Sequence, residues 1–393
     1  MGESHVGEPV LLIETSRFGP FEFIAGVSRE ALAPAIQRVD DAHQRFVRSP
    51  LSQIATELEE EVLVSSIFGT NTIEGGTLSE QETREVLALD AKAVREDGQR
   101  RVRNLKAAYD YAMRSAGDRQ WRLDTAFIRK LHATITDGLE HPHNRPGEYR
   151  TNAKTLVTWV GDEAHGGRYQ PPQYRGDIEK LTEGLVEWHA SLAAAKVPAL
   201  VRAPLVHLYY ELIHPFWDGN GRVGRVIEAT VLQAAGYRYA PFALARHYLE
   251  HIDEYFALFN ACRRNAEAKR ARPNEPFVQF HLEGMRLVVN HLHDRVNQLI
   301  AVLLFRNRAR DMLESKDINS RQYTISMQVL SSKPMTVDEM RRAPWYKSLY
   351  LKLTDKTKQR DLRGLREAKL VRADASDRLV PGFVEPEPGA EQR

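Results

Sequence analysis

Apolar residues recur at intervals of three or four along most of this chain, a pattern that predicts a mainly helical protein. Between residue 28 and about residue 116, Leu51, Ile54, Leu58 and Val62 follow this spacing, while the acidic residues 59–61 lie on the opposite side. Residues 1 to about 25 mix proline, glycine and short apolar runs, which predicts an extended or weakly ordered arm. Further helices are predicted over residues 124–138, 174–194, 204–213, 223–235, 247–269 and 277–313.

Two segments depart from the helical pattern. From Thr155 to Tyr169, a β-branched and aromatic run, a glycine-rich turn and a second short run predict a β-hairpin. From about residue 315 the order helix, helix, strand pair is typical of a winged helix. We therefore expect an N-terminal arm and helical region over 1–115, a core over 116–314, and a winged-helix-like domain with a tail over 315–393.

Composition narrows the classes of protein. The chain has 393 residues and a formal charge of +2, so it gives no overall signal for nucleic acid or membranes. Its single cysteine, Cys262, excludes an internal disulfide framework. The N-terminus does not resemble a signal peptide, and the longest apolar run, 299–305, is too short to span a bilayer. We expect a folded cytoplasmic protein that does not enter a membrane.

The densest chemistry lies between His214 and Arg225, in the segment HPFWDGNGRVGR. An apolar helix leads to His214, and Pro215 prevents that helix from continuing. The glycines that follow allow backbone N–H groups to converge at the start of a second helix, which creates a cradle for anions. Arg222 and Arg225 add permanent charges suited to phosphate, and Asp218 offers the oxygen ligand that Mg²⁺ prefers. His214 can accept a proton, so the segment predicts a phosphate-transfer site.

Other interpretations of the histidine and glycine patterns are weaker. Gly219, Gly221 and Gly224 match the dinucleotide pattern G-x-G-x-x-G, but that pattern requires a preceding strand, and a helix is predicted here. A plain glycine turn beside a buried histidine would not need so many charged residues. The segment His247 to His251, HYLEH, fits an inverted zinc peptidase, although no third ligand is identifiable.

The segment from His214 to Arg225 resembles the motif of the Fic family, which is His-Pro-Phe-x-(Asp/Glu)-Gly-Asn-Gly-Arg-x-x-Arg. The resemblance to the family spans roughly residues 60–290. It implies a mainly α fold, a Fic-type helical bundle with a short β-hairpin flap, followed here by the small winged-helix domain. It also implies a protein adenylyltransferase that uses ATP and Mg²⁺, with His214 as general base on a Tyr, Thr or Ser hydroxyl and Asp218 holding the metal. The resemblance assigns ATP binding to Gly219, Asn220, Gly221, Arg222, Val223, Gly224, Arg225, Tyr255 and Phe256.

The same resemblance implies partners for the reaction. The flap residues Thr158, Trp159 and Val160 would hold the backbone of a target protein as an added strand. The target can include the chain itself, and a homodimer is compatible with the family. Tyr255 and Phe256 would lie near the adenine, although the family more often has two tyrosines there.

A second motif, Thr70-Asn-Thr-Ile-Glu74-Gly75, resembles the family's inhibitory motif (Ser/Thr)-x-x-x-Glu-(Gly/Asn). It would lie at the end of an inhibitory helix near residues 57–74. By resemblance, Glu74 would pair with Arg225 and occupy the place of the γ-phosphate. In some relatives the matching glutamate helps to remove AMP, so a reversible enzyme is left open. The alternative is that Glu74 merely ends a helix before Gly75 and Gly76.

The C-terminal region is locally basic. Between residues 306 and 372 there are 17 Lys and Arg against 8 Asp and Glu. In a winged helix, residues 354–368 would form the recognition helix, with Leu362 and Leu365 facing the core. A second function class therefore stays open, a DNA-binding regulator in which the Fic-like site senses nucleotide or modifies the protein itself; protein contact or a solvated face are the alternatives. The cations available to phosphates are Lys356, Lys358, Arg360, Arg363 and Arg366.

Overall fold

The computed structural model describes residues 9–50, 54–90, 93–152 and 156–382, and the predicted mainly helical class is confirmed. Thr155, the first residue of the predicted hairpin, lies outside these ranges. Contacts divide the chain into two compact units, an N-terminal unit that extends to His293 and a C-terminal unit that begins at Asp294. Each helix within the described ranges is too short or too polar to cross a lipid bilayer.

The N-terminal arm is a β-hairpin. Strands β1 (Leu11–Glu14) and β2 (Pro20–Phe23) pair antiparallel, with Leu11 opposite Phe23. Extended backbone is therefore confirmed for these two strands, but the strand pairing was not predicted. The hairpin packs where helix α6 (Arg175–Ala194) carries Gly184, because a Cβ there would lie 2.0 Å from Ile13 Cδ1. The local sequence pattern cannot predict this contact, because Gly184 lies far from Ile13 along the chain.

The described residues from 29 to 135 form five separate helices. Their starts have physical causes: Ser28, Ser79 and Asp124 accept hydrogen bonds from first-turn N–H groups. The helix that spans Ala55–Ile73 ends directly before Glu74. The helices are α1 (Arg29–Arg48), α2 (Ala55–Ile73), α3 (Glu80–Ala88), α4 (Asp97–Gly117) and α5 (Thr125–Ile135).

The rest of the N-terminal unit surrounds a buried helix pair. Helices α7 (Ala199–Ile213) and α8 (Asn220–Ala234) are almost entirely buried and form the centre of the core. Strands β3 (Val160–Asp162) and β4 (Gly167–Tyr169) form an antiparallel hairpin within the range predicted for it. The remaining helices are α9 (Ala240–Glu250), α10 (Ile252–Glu267) and α11 (Glu275–Glu314).

Several helix boundaries differ from the sequence-based expectation, including that of α5, which ends at Ile135 rather than 138, and that of α7, which begins at Ala199 rather than 204. Helix α8 begins at Asn220 rather than 223, because Gly219, with φ of 83°, turns the chain and caps the helix. The single helix predicted over 247–269 is two helices, since the backbone of His251 leaves the helical region. The units divide after His293, whereas composition alone places a boundary near residue 315.

The C-terminal unit has its own apolar core. Ile325, Met340, Leu365, Leu370 and Leu379 are among its buried residues. Strands β5 (Val371–Ala373) and β6 (Leu379–Pro381) pair antiparallel, and Met335 forms an isolated bridge to Leu379. The elements that follow α11 are α12 (Ser320–Ser331), α13 (Val337–Arg342), α14 (Pro344–Leu349), α15 (Asp355–Glu367), β5 (Val371–Ala373) and β6 (Leu379–Pro381).

Candidate active site

His214 ends helix α7 in a left-handed conformation, with φ of 49°. A non-glycine residue adopts this conformation only where its surroundings hold it. Here Arg150 supplies the hold: its Nε donates to the His214 carbonyl at 2.7 Å, and its backbone N–H donates to the Pro215 carbonyl at 2.9 Å. The same guanidinium also donates to the Pro172 carbonyl, so it ties the turn to the base of the hairpin. Burial lowers the pKa of Arg150 to about 10, which leaves it charged at neutral pH.

Glu211 lies one turn before His214 and faces its ring. The distance from Glu211 Oε2 to His214 Nδ1 is 3.6 Å. Glu211 is 9% exposed, and among the described residues its Oε1 and His214 Nδ1 are buried without a hydrogen-bond partner. A ring whose Nδ1 faces a carboxylate presents Nε2 on its other side. The sequence analysis missed Glu211, although its spacing of three on a helix was a usable signal.

The glycine turn leads into helix α8, where an anion cradle is predicted. Val223 N–H makes the first bond of helix α8, to the Gly219 carbonyl at 3.0 Å, so the preceding N–H groups are free of helical partners. The Asn220 side chain closes the turn, accepting from Phe216 N–H at 3.0 Å and donating to the Phe216 carbonyl at 2.8 Å. A Cβ on Gly221 would lie 2.2 Å from Glu74 Oε1. Glu74 therefore holds its carboxylate directly over the cradle.

Asp218 and Arg222 form an ion pair beside the cradle. Arg222 Nη2 donates to both carboxylate oxygens at 2.8 Å. Although burial raises it, the charge and hydrogen bonds of Arg222 bring the pKa of Asp218 below its usual value. Nε and Nη1 of Arg222 are buried without a partner among the described residues. An ionised carboxylate beside unused guanidinium donors fits a Mg²⁺ ion that arrives with a phosphate ligand.

A second histidine, His132, fixes the position of Asp218. Its Nδ1 accepts from Gly147 N–H at 2.8 Å, so Nε2 carries the proton and donates to the Asp218 carbonyl at 3.0 Å. The ring stacks on Phe216 with centroids 3.7 Å apart. Burial lowers the pKa of His132 to about 4, which keeps this arrangement neutral. No motif in the sequence marked His132 or Arg150.

Arg225 meets Glu74 in the way the resemblance implies. Its Nη2 donates to Glu74 Oε1 at 2.6 Å and to the Thr70 carbonyl at 3.3 Å. Its Nη1 donates to the Tyr255 hydroxyl at 3.2 Å. The side chain of Arg225 is 3% exposed and that of Glu74 is 24% exposed. Glu74 therefore does more than end helix α2.

A cavity of about 260 Å³ is lined by Glu211, His214 and Arg225, whereas Asp218 and Arg222 are not among its lining residues. Val223 is fully buried, and a Cβ on Gly224 would lie 2.6 Å from Glu211 Oε1, so this glycine makes room for α7. Tyr255 is 1% exposed and contacts Arg225 through its hydroxyl. Of the residues predicted from sequence, those that line the cavity are Glu74, Val160, His214, Gly221, Arg225, Tyr255 and Phe256.

The flap hairpin is fastened to helix α10. Asn260 Nδ2 donates to the Gly167 carbonyl at 2.7 Å, and Arg264 Nη1 donates to the Gly166 carbonyl at 2.6 Å. The ring of His165 bonds to Asp162 and Asp253, and these contacts raise the pKa of His165. The flap is therefore held at its tip by residues that sequence analysis did not single out.

The strand edge before β3 contains the other two predicted flap residues. Thr158 N–H donates to Gln173 Oε1 at 2.7 Å, and Asn152 Nδ2 donates to the Thr158 hydroxyl at 2.9 Å. The side chain of Trp159 is 54% exposed. The backbone is thus anchored while an aromatic side chain is presented to solvent.

The HYLEH segment lies at the end of helix α9. The rings of His247 and His251 are 4.4 Å apart, and His247 also packs on Phe280. Burial, followed by the neighbouring His251, lowers the pKa of His247 to about 4. Across the described residues no group of three or more His, Cys, Asp or Glu side chains is placed to hold a metal ion. The zinc peptidase interpretation gains no third ligand from this part of the chain.

Comparison with known sequences identifies the segment around the cavity. Residues 122–232 match the model of the Fic/DOC family. The chain is 27% identical over 232 residues to the protein adenylyltransferase Fic of Drosophila ananassae, a match that covers 53% of this chain and 42% of that protein. Against the protein of the same name from Aedes aegypti it is 26% identical over 206 residues, covering 51% and 38%. The chain spans about two fifths of the length of these curated relatives.

Solved structures share the fold. A Fic domain containing signaling protein from Bacteroides thetaiotaomicron superposes with a TM-score of 0.56 at 20% identity, covering 66% of this chain and 97% of that one. A Fic family protein from Desulfovibrio desulfuricans gives 0.53 at 18% identity, covering 91% and 97%. Because these identities are low, they bear on the fold alone. The family match over residues 122–232 and the shared fold agree with the resemblance that the motif at the cavity carries.

Proposed function

We propose that this protein transfers AMP from ATP to a Tyr, Thr or Ser hydroxyl of a target protein, which can be a second copy of itself. The observation that carries the proposal is the convergence of His214, Gly221 and Arg225 on one cavity of about 260 Å³. A proton acceptor, an anion cradle and a phosphate-binding cation are the parts that such a transfer needs. The curated relatives bear the name of this activity, over the shared part of their length.

In the proposed reaction, His214 Nε2 accepts the proton of the target hydroxyl while Nδ1 faces Glu211. The hydroxyl oxygen forms a bond to the α-phosphorus of ATP. The bond from that phosphorus to the bridging oxygen breaks, and its electron pair leaves with pyrophosphate. The cradle N–H groups, Arg222 and Arg225 bind the phosphates as charge moves onto the leaving group. Asp218 would hold Mg²⁺, which supplies further neutralisation of the phosphate charge.

The flap is the proposed docking site for the target backbone. Residues 158–160 are anchored from behind by Gln173 and Asn152, and β3 pairs with β4 on one side. An extended target segment can add to the free edge and bring its hydroxyl toward His214. The exposed ring of Trp159 offers a contact for a neighbouring side chain of the target.

Glu74 is the proposed restraint on this reaction. Its carboxylate lies over Gly221 and pairs with Arg225 at 2.6 Å, so an ATP phosphate and Glu74 compete for the same donors. Because Glu74 lines the same cavity as His214, we also propose that it can activate water for removal of AMP. ATP in its reactive pose requires that Glu74 move away.

The proposal is tested by mass spectrometry of the Glu74→Gly protein incubated with Mg²⁺ and each nucleoside triphosphate in turn. We expect a mass gain of one AMP group with ATP, and no gain when His214→Ala is added. As a control, Glu80→Gln alters a surface glutamate that pairs with Arg246 and should leave labelling at the wild-type level. No mass gain with any nucleotide would contradict the transfer activity, and equal labelling of wild type and Glu74→Gly would contradict the restraint.

DNA binding by the C-terminal unit is a second candidate function, which can coexist with the first. We propose that residues 319–382 form a winged helix, with α15 as its recognition helix. Lys356, Arg360, Arg363 and Arg366 are exposed on α15 while Leu362 and Leu365 are buried. Beside it, Arg341, Lys347 and Lys358 line a cavity of about 390 Å³. Filter binding to duplex DNA over a salt series tests this, and the absence of binding at low salt would contradict it.

A further inference from the structure

A buried chain of hydrogen bonds leads from the cavity into the core of the N-terminal unit. It starts at Arg225, passes through the Tyr255 hydroxyl to His207 Nε2 at 3.0 Å, and continues from His207 Nδ1 to Glu228 Oε2 at 3.0 Å. His207 is 0% exposed and Glu228 is 1% exposed. The members come from helices α7, α8 and α10. Such buried polar groups are costly unless each is satisfied, so their arrangement calls for a physical account.

The donor and acceptor in each of these hydrogen bonds follow from the last group in the series, the Glu228 carboxylate. The Glu228 carboxylate accepts from the Tyr248 hydroxyl, with both of its oxygens 2.9 Å from that hydroxyl, and an ionised carboxylate has no proton to donate. His207 Nδ1 must therefore carry a proton and donate. In a neutral ring Nε2 then accepts, and the Tyr255 hydroxyl donates to it. The oxygen of Tyr255 is left as an acceptor for Arg225.

A proton on His207 Nε2 would leave the hydroxyl proton of Tyr255 without an acceptor. If His207 Nε2 also carried a proton, it and Arg225 would both donate to the Tyr255 oxygen. Within the described residues, the hydroxyl has hydrogen bonds only to Arg225 and His207, so its own proton would have no acceptor. Burying an unsatisfied donor is unfavourable. The neutral ring with its proton on Nδ1 gives a partner to both ring nitrogens of His207, to the Tyr255 hydroxyl proton and to the Glu228 carboxylate.

Arg225 consequently has two kinds of partner. Glu74, on Nη2, is partly exposed and lies over the anion cradle. Tyr255, the partner of Nη1, is buried, and its hydroxyl also bonds to His207. Gly224 makes the chain possible, because a Cβ there would lie 2.8 Å from His207 Cδ2. One partner can exchange for a ligand, and the other is fixed.

We infer that His207 and Glu228 are positioning residues for Arg225: they fix the Tyr255 hydroxyl as an acceptor that holds the guanidinium at the cavity when Glu74 leaves. This inference rests on the proposed function for the identity of the ligand, a nucleoside triphosphate. In this arrangement the buried residues of the core position Arg225, whereas Glu74 competes with the ligand for it. Neither His207 nor Glu228 lines the cavity as it is bounded by described residues.

The first test compares two tyrosines in the Glu74→Gly background. Tyr255→Phe keeps the ring and removes the acceptor for Arg225. Tyr248→Phe is the matched control, because Tyr248 donates to Glu228 at 2.9 Å and stacks on Tyr255 at 4.6 Å, but among the described residues it makes no direct hydrogen bond to Arg225. Calorimetric binding of α,β-methylene-ATP should weaken on the order of tenfold in Tyr255→Phe and less than about twofold in Tyr248→Phe. Equal losses in the two variants, or no loss in Tyr255→Phe, would overturn the inference.

The second test is made on the wild-type protein, and a variant is needed only to assign the signals. Nitrogen-15 NMR of histidine-labelled wild-type protein reports which nitrogen of each ring is protonated, and His207→Gln identifies the His207 signals. We expect His207 to carry its proton on Nδ1 and to leave Nε2 unprotonated at neutral pH. A proton on Nε2 would overturn the inference. If Glu74→Gly transfers no nucleotide, the proposed function fails while the binding and NMR results still decide this one.

Discussion

The turn at residues 214–225 and helix α15 both concentrate positive charge, yet they hold it in opposite ways. Arg222 and Arg225 are nearly buried, and their partners are Asp218, Glu74 and Tyr255. On α15, Lys358 pairs with its neighbour Asp355, whose side chain is 85% exposed, and most of the other cations face solvent.

The difference in burial decides what each region says about function. A surface ion pair contributes about 0–1 kcal/mol, so the arrangement on α15 is inexpensive and needs no ligand to explain it. A buried arginine with unused donors is costly, and its persistence indicates a ligand that completes it. The turn is therefore strong evidence for an anion site, while the charge on α15 alone is weak evidence for DNA binding.

The largest expected effect tests the turn itself. His214→Ala should reduce AMP transfer by about 10²–10⁴-fold, because a general base contributes to rate more than to ground-state affinity. Nucleotide binding measured by calorimetry should stay within about twofold of the parent. His291→Ala, an exposed histidine on α11, serves as the control and should leave both quantities unchanged. Full activity in His214→Ala would remove the histidine from the mechanism.

The next effect asks whether the orientation of His214 matters. Glu211→Gln should lower kcat about tenfold with little change in KM for ATP, because a neutral amide no longer favours the ring orientation that leaves Nε2 free. Initial rates over a range of ATP concentrations separate the two constants. Glu187→Gln, at an exposed position on α6, is the control. A rise in KM without a fall in kcat would assign Glu211 to binding instead.

Acid should distinguish the two units. Burial lowers the pKa of His132 and of His189 to about 4, and His247 behaves likewise. These groups bind protons more readily in the unfolded chain, so the stability they confer is present above about pH 6.5 and is lost as the pH falls toward 4. The C-terminal unit from Asp294 onward contains no histidine.

Hydrogen exchange read by mass spectrometry during urea unfolding can follow both units. Between pH 6.5 and pH 5 the N-terminal unit should lose on the order of 1–2 kcal/mol of unfolding free energy for each fully buried histidine. The C-terminal unit should change little over this window, because most carboxyl groups protonate at lower pH. Equal losses in both units would show that these histidines do not set the acid sensitivity.

The smallest expected effects concern α15. If the C-terminal unit binds DNA, Lys356→Gln and Arg360→Gln should each weaken binding severalfold across sequences and reduce the salt slope by about 1. Lys333→Gln, at an exposed position outside α15, should have less effect. Filter binding at several salt concentrations gives both quantities. Identical slopes for all three variants would contradict a role for this helix.

Local sequence was sufficient for much of the fold and for the centre of the site. The spacing of apolar residues predicted most helices, since a helix buries one face at a fixed period. The motif from His214 to Arg225 predicted the turn because its glycines, proline and charged residues act on backbone only a few positions away. The failures at Gly219 and His251 are also local: single residues with unusual backbone angles move a helix boundary.

Tertiary structure decided which residues complete the site. Arg150 holds His214, His132 holds Asp218, and Tyr255 holds Arg225 through contacts between elements far apart in the chain. Neither Arg150 nor His132 belongs to a motif in this single sequence, because packing rather than spacing brings them there. The resemblance placed Tyr255 near the adenine, and only the fold gives it the contact with Arg225. The resemblance anticipated the meeting of Glu74 with Arg225, and only the fold gives it a distance of 2.6 Å. The sequence by itself determined the chemistry of the turn, while burial by distant helices determined which of its charges are held and which can exchange.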